Sequence, residues 1–332
     1  MRIAINGFGR IGRVTMRCLL KNPAIEVVAI NDLTDVKTLS HLFKYDSVHR
    51  QFDGTVEPIE NGIRFNGKDV KVFSERDPNN LPWEELGVDV VVESTGLFRT
   101  RETASAHLSA GAKQVIISAP AKDKDIPSVV LGVNDHEVDI TESIISNASC
   151  TTNCAAPMVK VLEDAVHVES IFVSTVHSYT GDQRLHDSPH RDLRRARAAA
   201  TSIIPTTTGA AKALGRIFPH LEGHLGGAGI RVPVINGSLT DLTCIVHSDI
   251  DEAGVIKLFK EASETGPLKG ILQFTDEPIV SSDIISNPHS CVFDAGLTSV
   301  IGKMVKVVGW YDNEAGYSNR VADLIEKIRV AK

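Results

Sequence analysis

No stretch of this 332-residue chain approaches the ~20 uninterrupted apolar residues that a membrane-spanning helix needs, so no membrane partner is expected. A signal-peptide core is missing too. Met1-Arg2-Ile3-Ala4-Ile5 leads directly into a strand and a glycine turn, and the expected compartment is the cytoplasm. Cysteine is scarce: five thiols, an odd number scattered over a long chain, do not make a disulfide framework. Cys18, Cys244 and Cys291 lie in apolar or alternating segments and are expected to be buried core thiols. His186 and His190 are four residues apart, but Pro189 between them is incompatible with a helix-borne pair, and no metal site is expected. Excess positive charge is also lacking. A net charge of −7 speaks against a general nucleic-acid binder, so any anion site must be a local concentration of cations. The chain shows no internal repeat and no low-complexity tract.

What is present is a globular composition, 42% hydrophobic and 23% charged, over a length that suggests two domains. Ile3-Ala4-Ile5 reads as a short buried strand, followed by Gly7-Phe8-Gly9-Arg10-Ile11-Gly12 and a helical pattern over 14–20. In that context Gly7, Gly9 and Gly12 let backbone approach a pyrophosphate, and the helix N-terminus supplies N–H groups and positive potential. The next strand, 25–32, ends at Asp32, twenty residues past Gly12. A carboxylate there binds the ribose 2′-hydroxyl and repels a 2′-phosphate, which favours NAD over NADP. Further strand-like runs occupy 88–93, 114–118 and 129–133, with a helix over 101–110 closed by Gly111. Near-continuous apolar strands alternating with helices predict an α/β domain, a Rossmann-type doubly wound parallel sheet covered on both faces. Ligands on such a sheet lie beyond the strands' carboxyl ends, which points to Ser94-Thr95-Gly96 and Ser118-Ala119-Pro120.

In the second half, alternation over 167–177 predicts a strand ending at His177. Other strand-like segments are 230–234, 239–246, 278–282, 291–294 and 303–310, with helices over 252–264 and 316–330. Runs of strands with few helices predict a separate α+β catalytic domain with a mixed or antiparallel sheet. The expected division is 1–149 with the C-terminal helix 314–332 packing back on it, and 150–313.

Between the halves lies Ser146-Asn147-Ala148-Ser149-Cys150-Thr151-Thr152-Asn153-Cys154, with a strand-like run before it and a helix-like run over 155–162 after it. A cysteine at such a turn meets N–H groups and the positive end of the helix dipole, which favour thiolate. Ser149, Thr151 and Thr152 add hydroxyls suited to an anionic ligand. The i,i+4 spacing of Cys150 and Cys154 is not C-x-x-C, and spacing alone leaves open a reactive or an inert thiol. His177, taken alone, reads first as a hydrogen-bonded strand-end residue. Arg231, within Ile230-Arg231-Val232-Pro233-Val234, needs an anionic partner in so apolar a context. Thr206-Thr207-Thr208-Gly209-Ala210 opens a helix whose first N–H groups suit an anion, with Thr208 as the alternative cap.

The cysteine segment resembles the active-site signature of phosphorylating glyceraldehyde-3-phosphate dehydrogenases. The likeness runs from Ile5-Asn6-Gly7-Phe8-Gly9-Arg10-Ile11-Gly12 to Trp310-Tyr311-Asp312-Asn313-Glu314, almost the whole chain. The resemblance implies a glycolytic activity: NAD-dependent oxidative phosphorylation of glyceraldehyde 3-phosphate to 1,3-bisphosphoglycerate. Cys150 would form a thiohemiacetal and then a thioester, with His177 as base. Gly7, Gly9, Arg10, Ile11, Gly12, Asp32, Arg76, Thr95 and Ser118 would hold NAD, with Asn313 and Tyr317 reaching its nicotinamide. Ser149, Thr151, Thr208, Gly209 and Arg195 would bind inorganic phosphate, and Thr180, Asp182 and Arg231 the substrate's own phosphate. A homotetramer is implied, with the arginine-rich loop of one subunit near a neighbour's cofactor. One departure stands out: NAD-preferring members usually carry Leu-Pro where this chain has Ser188-Pro189, which weakens exclusion of NADP. Two alternatives remain at this stage. Erythrose-4-phosphate dehydrogenases share the cysteine and histidine but commonly replace the threonine matching Thr180. A non-catalytic NAD- or RNA-binding regulatory protein is opposed by the acidic charge and the complete residue set.

Overall fold

The computed structural model describes residues 1–331 and divides into two compact units. The first comprises Met1–Val129, Glu137–Ala148 and the chain end from Ser318; the second comprises Val130–His136 and Ser149–Tyr317.

In the first unit, β1 (Arg2–Asn6) is fully buried at Ile3, Ala4 and Ile5, as expected of a strand covered on both faces. It leads through the glycine turn into α1 (Arg10–Leu19), then β2 (Glu26–Asn31), α2 (Val36–Lys44), β3 (Val56–Ile59), β4 (Gly62–Phe65) and β5 (Lys68–Phe73). β6 (Val90–Glu93), α3 (Arg101–Ser109), β7 (Gln114–Ile117) and β8 (Ile144–Ser146) complete the sheet. Its order is β3-β4-β5-β2-β1-β6-β7-β8: six parallel strands from β5 to β8, extended by antiparallel β4 and β3. The order reverses at β1, and the crevice beyond the carboxyl ends at such a point is where these sheets bind ligands.

The β3–β5 meander was not foreseen. Its strands are too short for a strong alternation, and the signal that marks it is Asn66-Gly67, with φ of 48° and 81°, a two-residue hairpin turn. The strand expected over 129–133 does not form. Val129 N–H pairs with the Ser146 carbonyl at 2.8 Å, but Val130 N–H then donates to Asn134 Oδ1 at 2.8 Å and Gly132 takes φ +77°, which turns the chain away from the sheet. Cys18 also departs from expectation: it lies beside, not on, the buried stripe of α1 and is only half-buried, and burial still pushes its thiol up to about 11.

The second unit is built on α4 (Cys150–Val166), whose residues Cys154, Ala155, Ala156, Met158 and Val159 are wholly buried. Around it run β9 (Val168–Ser178), β10 (Ile204–Thr206), α5 (Ala210–Ile217), β11 (Leu225–Val232), β12 (Ser238–Val246), α6 (Glu252–Glu264), β13 (Leu272–Thr275), β14 (Cys291–Asp294), β15 (Ser299–Ile301) and β16 (Met304–Tyr311). The sheet is mixed, in the order β10-β11-β9-β12-β16-β14-β13, with β15 on β16. β11 runs parallel to β9, and β12 antiparallel to both β9 and β16. Alternation divides the sheet's faces: Val173 and Leu242 face the helices at 0% exposure, whereas their sequence neighbours Phe172 and Thr243 pair on the other face, where Phe172 is 51% exposed. The strand expected over 278–282 is replaced by unpaired chain and a 3₁₀ turn at Ser281–Ile284. Pro278 has no N–H to give a ladder, and Val280 N–H is taken by Asp283. α7 (Ala315–Ala331) begins in the second unit and carries Val321, Leu324, Ile325 and Ile328, all at 0% exposure, into the first.

Gly7 is one position where the fold requires glycine. Its φ is +90°, and a Cβ there would lie 2.7 Å from the Thr95 backbone nitrogen, whereas a Cβ on Gly9 would meet open space. Gly7→Ala is therefore expected to cost about 1–3 kcal/mol in urea unfolding, and Gly9→Ala less than about 1 kcal/mol. Equal losses for the two would contradict this packing.

Candidate functional site

Two groups of motif residues assemble, one in each unit. In the first, a cavity of about 370 Å³ is lined by Gly7, Gly9, Asp32, Arg76 and Thr95 among others, so the structure gathers five of the expected cofactor residues. The cradle suits a pyrophosphate. No side chain caps the first turn of α1, and a Cβ on Gly12 would fall 2.2 Å from the Gly7 carbonyl, so the glycine turn and the helix start pack backbone to backbone. Asp32 closes the turn by accepting from Phe8 N–H at 2.8 Å and Thr34 N–H at 2.9 Å, and its carboxylate stands at the cavity edge. Arg10 is held elsewhere: its Nη1 donates to Asp46 at 2.5 Å. Burial would raise the Asp46 carboxyl, but Arg10 and the His49 and Val48 N–H groups hold it down to about 2. Ile11 follows in the same first turn. Ser118 follows β7, its N–H on the Glu93 carbonyl at 2.9 Å, and does not line the cavity. Sequence reasoning missed Asn6, Asn31 and Glu75, which do. A larger cavity of about 660 Å³, along Leu19, Pro23, Ile25 and Phe65, contains none of the motif residues.

In the second unit, Ser149 caps α4 by accepting from Thr152 N–H at 3.1 Å, which makes Cys150 the first helical residue. Its Sγ lies 3.5 Å from His177 Nε2. Parallel pairing of β9 with β11 sets His177 opposite Arg231, and Arg231 Nη1 reaches His177 Nδ1 at 2.6 Å and the Ser178 carbonyl at 3.0 Å. A guanidinium only donates, so this contact leaves the Nδ1 lone pair as acceptor and puts the ring proton on Nε2, facing the sulfur. The Ser178 carbonyl, 2.7 Å from Nδ1, would hold the opposite tautomer if Arg231 withdrew.

Tyr311, not foreseen as a site residue, stands edge-on to the imidazole at 5.9 Å and bonds the Thr151 hydroxyl at 2.9 Å. Only the β12–β16 register brings it there. Arg195 pairs with Asp182 and lies 3.4 Å from Asp192, so residues expected in two different phosphate sites meet in one cluster. Thr180 follows β9, and its carbonyl accepts from Gln183 N–H at 2.9 Å. Thr208 and Gly209 are placed by a separate element: Thr208 Oγ1 accepts from Ala210 N–H at 3.2 Å at the start of α5, whose N-cap is Gly209. Asn313 Oδ1 accepts from the Ser178 and Ser238 hydroxyls at 2.8 and 2.9 Å, which leaves its NH₂ as the group it can offer a ligand. Tyr317 is buried.

The electrostatics correct one expectation. Burial pushes the Cys150 thiol up, with Arg231 and the Thr151 groups pulling the other way. Burial, reinforced by Arg231, draws His177 down to about 3. A neutral thiol against a neutral imidazole is thus the favoured pair here, not the thiolate expected from the helix terminus, because desolvation outweighs the terminal dipole.

A dinucleotide cradle in one unit and a cysteine–histidine pair backed by Arg231 in the other define the class, a nicotinamide-dependent dehydrogenase. The family model for the glyceraldehyde 3-phosphate dehydrogenase NAD binding domain matches residues 1–101, and that for the C-terminal domain matches 149–313. A glyceraldehyde-3-phosphate dehydrogenase of Thermotoga maritima is 60% identical over 328 residues, covering 98% of both chains. One from Geobacillus stearothermophilus is 56% identical, and glyceraldehyde-3-phosphate dehydrogenase 1 of Bacillus subtilis 53%, each covering 98% of this chain and 97% of its own. The chain belongs to the glyceraldehyde-3-phosphate dehydrogenase family.

Replacing Arg231 tests the electrostatics directly. Arg231→Leu removes the cation that depresses His177 and opposes the rise at Cys150, so both pKa values are expected to go up. The imidazole is read by NMR titration, and the thiol by slower alkylation of Cys150 at a fixed pH of ~8. An unmoved imidazole would show that the guanidinium does not act on the ring.

Proposed function

We propose that Cys150 and His177 carry out NAD-dependent oxidation and phosphorylation of glyceraldehyde 3-phosphate to 1,3-bisphosphoglycerate in this chain. The 3.5 Å contact between sulfur and imidazole, with Arg231 behind the ring, is the observation that supports this most. Bound NAD supplies the hydride acceptor. The Cys150 sulfur attacks the aldehyde carbon, the thiol proton passes by way of His177 to the carbonyl oxygen, and a thiohemiacetal forms with the imidazole neutral again. Substrate phosphate drawing Arg231 off Nδ1 removes the charge that depresses His177 and lets the Ser178 carbonyl hold the proton on Nδ1, which bares Nε2 toward the sulfur and makes the ring a base. His177 then takes the thiohemiacetal hydroxyl proton as the carbon loses hydride, leaving a thioester on Cys150. Inorganic phosphate attacks the thioester carbon and Cys150 departs as thiolate, to be reprotonated. The helix N-terminal N–H groups at Cys150 face the oxyanion that forms at each attack. Ser149, Thr151, Thr208, Gly209 and Arg195 serve the inorganic phosphate, and Thr180 and Asp182, with Arg231, the substrate phosphate. Asp32 favours NAD over NADP, and Asn313 and Tyr317 serve the nicotinamide end. The names of the relatives favour the triose over the erythrose substrate.

The assembly we propose is a homotetramer, in the cytoplasm. Among the described residues no helix is long and apolar enough to cross a membrane. The sheet face opposite the helices carries Phe172 at 51% and Met304 at 38% exposure, and the arginine-rich loop carries Leu185 and Leu193 at 74% and 81%, apolar surface that a second copy would cover.

Cys150→Ser is expected to abolish NADH formation while NAD still binds with native affinity by calorimetry. The unaltered protein should form NADH continuously from glyceraldehyde 3-phosphate only when inorganic phosphate is present. A fully active serine variant would remove the covalent route. Light scattering after size-exclusion chromatography should give the mass of four chains, and Phe172→Glu should lower it; a monomeric mass at micromolar concentration would overturn the assembly.

A further inference from the structure

Beneath the cofactor cavity lies a polar network that the reaction does not use. Glu93, the last residue of β6, has a side chain at 0% exposure. Its Oε2 accepts from Asn6 Nδ2 at 2.6 Å and faces His107 Nε2 at 3.0 Å; its Oε1 accepts from the Thr95 N–H at 2.9 Å and from the Thr95 hydroxyl. The tautomer of His107 follows from its other side. Trp83 Nε1, which can only donate, points at His107 Nδ1 at 3.1 Å, so Nδ1 is bare and Nε2 carries the proton given to Glu93. Four donors thus converge on the two carboxyl oxygens of Glu93, two on each.

The network continues to both sides of the cavity. Asn6 Oδ1 accepts from Asn31 Nδ2 at 2.7 Å; Asn31 in turn binds the Glu75 carbonyl at 2.9 Å and the Glu75 N–H at 2.8 Å. On the other side the Thr95 hydroxyl accepts from Leu97 N–H at 3.0 Å. Asn6, Asn31, Glu75, Thr95 and Leu97 all line the cavity, and Thr95 is also the backbone against which Gly7 packs. A buried carboxylate is a costly residue with which to fill a core. Here it fixes the orientation of two wall segments that no apolar residue could hold.

We propose that Glu93 is a positioning residue for NAD: through Thr95 on one side and through Asn6 and Asn31 on the other, it sets the walls of the cofactor cavity before the cofactor arrives. This rests on the reading of that cavity as the NAD site. Glu93→Gln keeps the shape but offers one acceptor oxygen and turns an NH₂ group toward two donors. NAD binding, measured by calorimetry, should weaken about tenfold or more, the scale of leaving buried donors unpaired. KM for NAD should rise in step, while kcat at saturating NAD and KM for glyceraldehyde 3-phosphate stay within about twofold; a merely structural role would lower the melting temperature without that split. Thr95→Val, which deletes one of the four donors, should weaken NAD severalfold, and the double variant should lose less than the two single losses combined. Native NAD affinity in a folded Glu93→Gln protein would overturn the proposal. Should that variant not fold, native affinity in Thr95→Val would overturn it equally. Failure of the unaltered protein to bind NAD would instead sink the reading of the cavity.

Discussion

Pairing of β9 with β11 in parallel register governs the chemistry of the second unit. In a parallel ladder, side chains at matched positions stand on the same face, so His177 and Arg231 are forced together and the imidazole has a cation 2.6 Å from Nδ1. From that contact follow the ring's tautomer, its low basicity, and the presentation of an N–H to the Cys150 sulfur. A slip of one residue would send Arg231 to the opposite face and leave His177 with only the Ser178 carbonyl. α4 supplies the other half. Its capped first turn holds Cys150 against that strand end, and its buried body locks the helix to the sheet.

A competition between desolvation and local charge runs through the site. A helix N-terminus, Arg231 and the Thr151 hydroxyl and N–H all favour the thiolate, yet closing the site around Cys150 costs more than they return. Arg231 acts on both partners, easing ionisation of the thiol and opposing protonation of the imidazole. In the proposed mechanism a phosphate at Arg231 shifts that balance toward the reactive state and ties nucleophile activation to substrate occupancy. The first unit solves a related problem differently, burying one carboxylate and surrounding it with donors so that polar groups become scaffold.

Much of this was legible in the chain. Strict context made the glycine turn readable: strand, Gly7-x-Gly9-x-x-Gly12, helix and Asp32 are local in sequence and each has a steric or electrostatic reason. The alternation in β9, β12 and β16 was equally plain, because one buried face imposes a period of two. Where expectations failed, a local competitor won. Asn134 captured the Val130 N–H and bent 129–133 away, and Asp283 captured the Val280 N–H beyond a proline. The β3–β5 meander escaped notice because half-exposed β3 and β5 lack the continuous apolar run that marked β6 and β7, although Asn66-Gly67 marked its turn.

By itself the sequence determined which residue types were available and which backbone conformations they allow: the glycine cradle, the helix-capping Ser149, the strand periods, and the long motifs that mark the family. Tertiary structure alone decided which of those residues meet. Tyr311 comes against Thr151 and His177 through pairing of distant strands, Arg195 turns to Asp182, and Glu93 gathers Asn6 from β1 and His107 from α3. The reason is physical. Hydrogen-bond partners and desolvation depend on distances across the sheet, and no period or propensity along the chain encodes those.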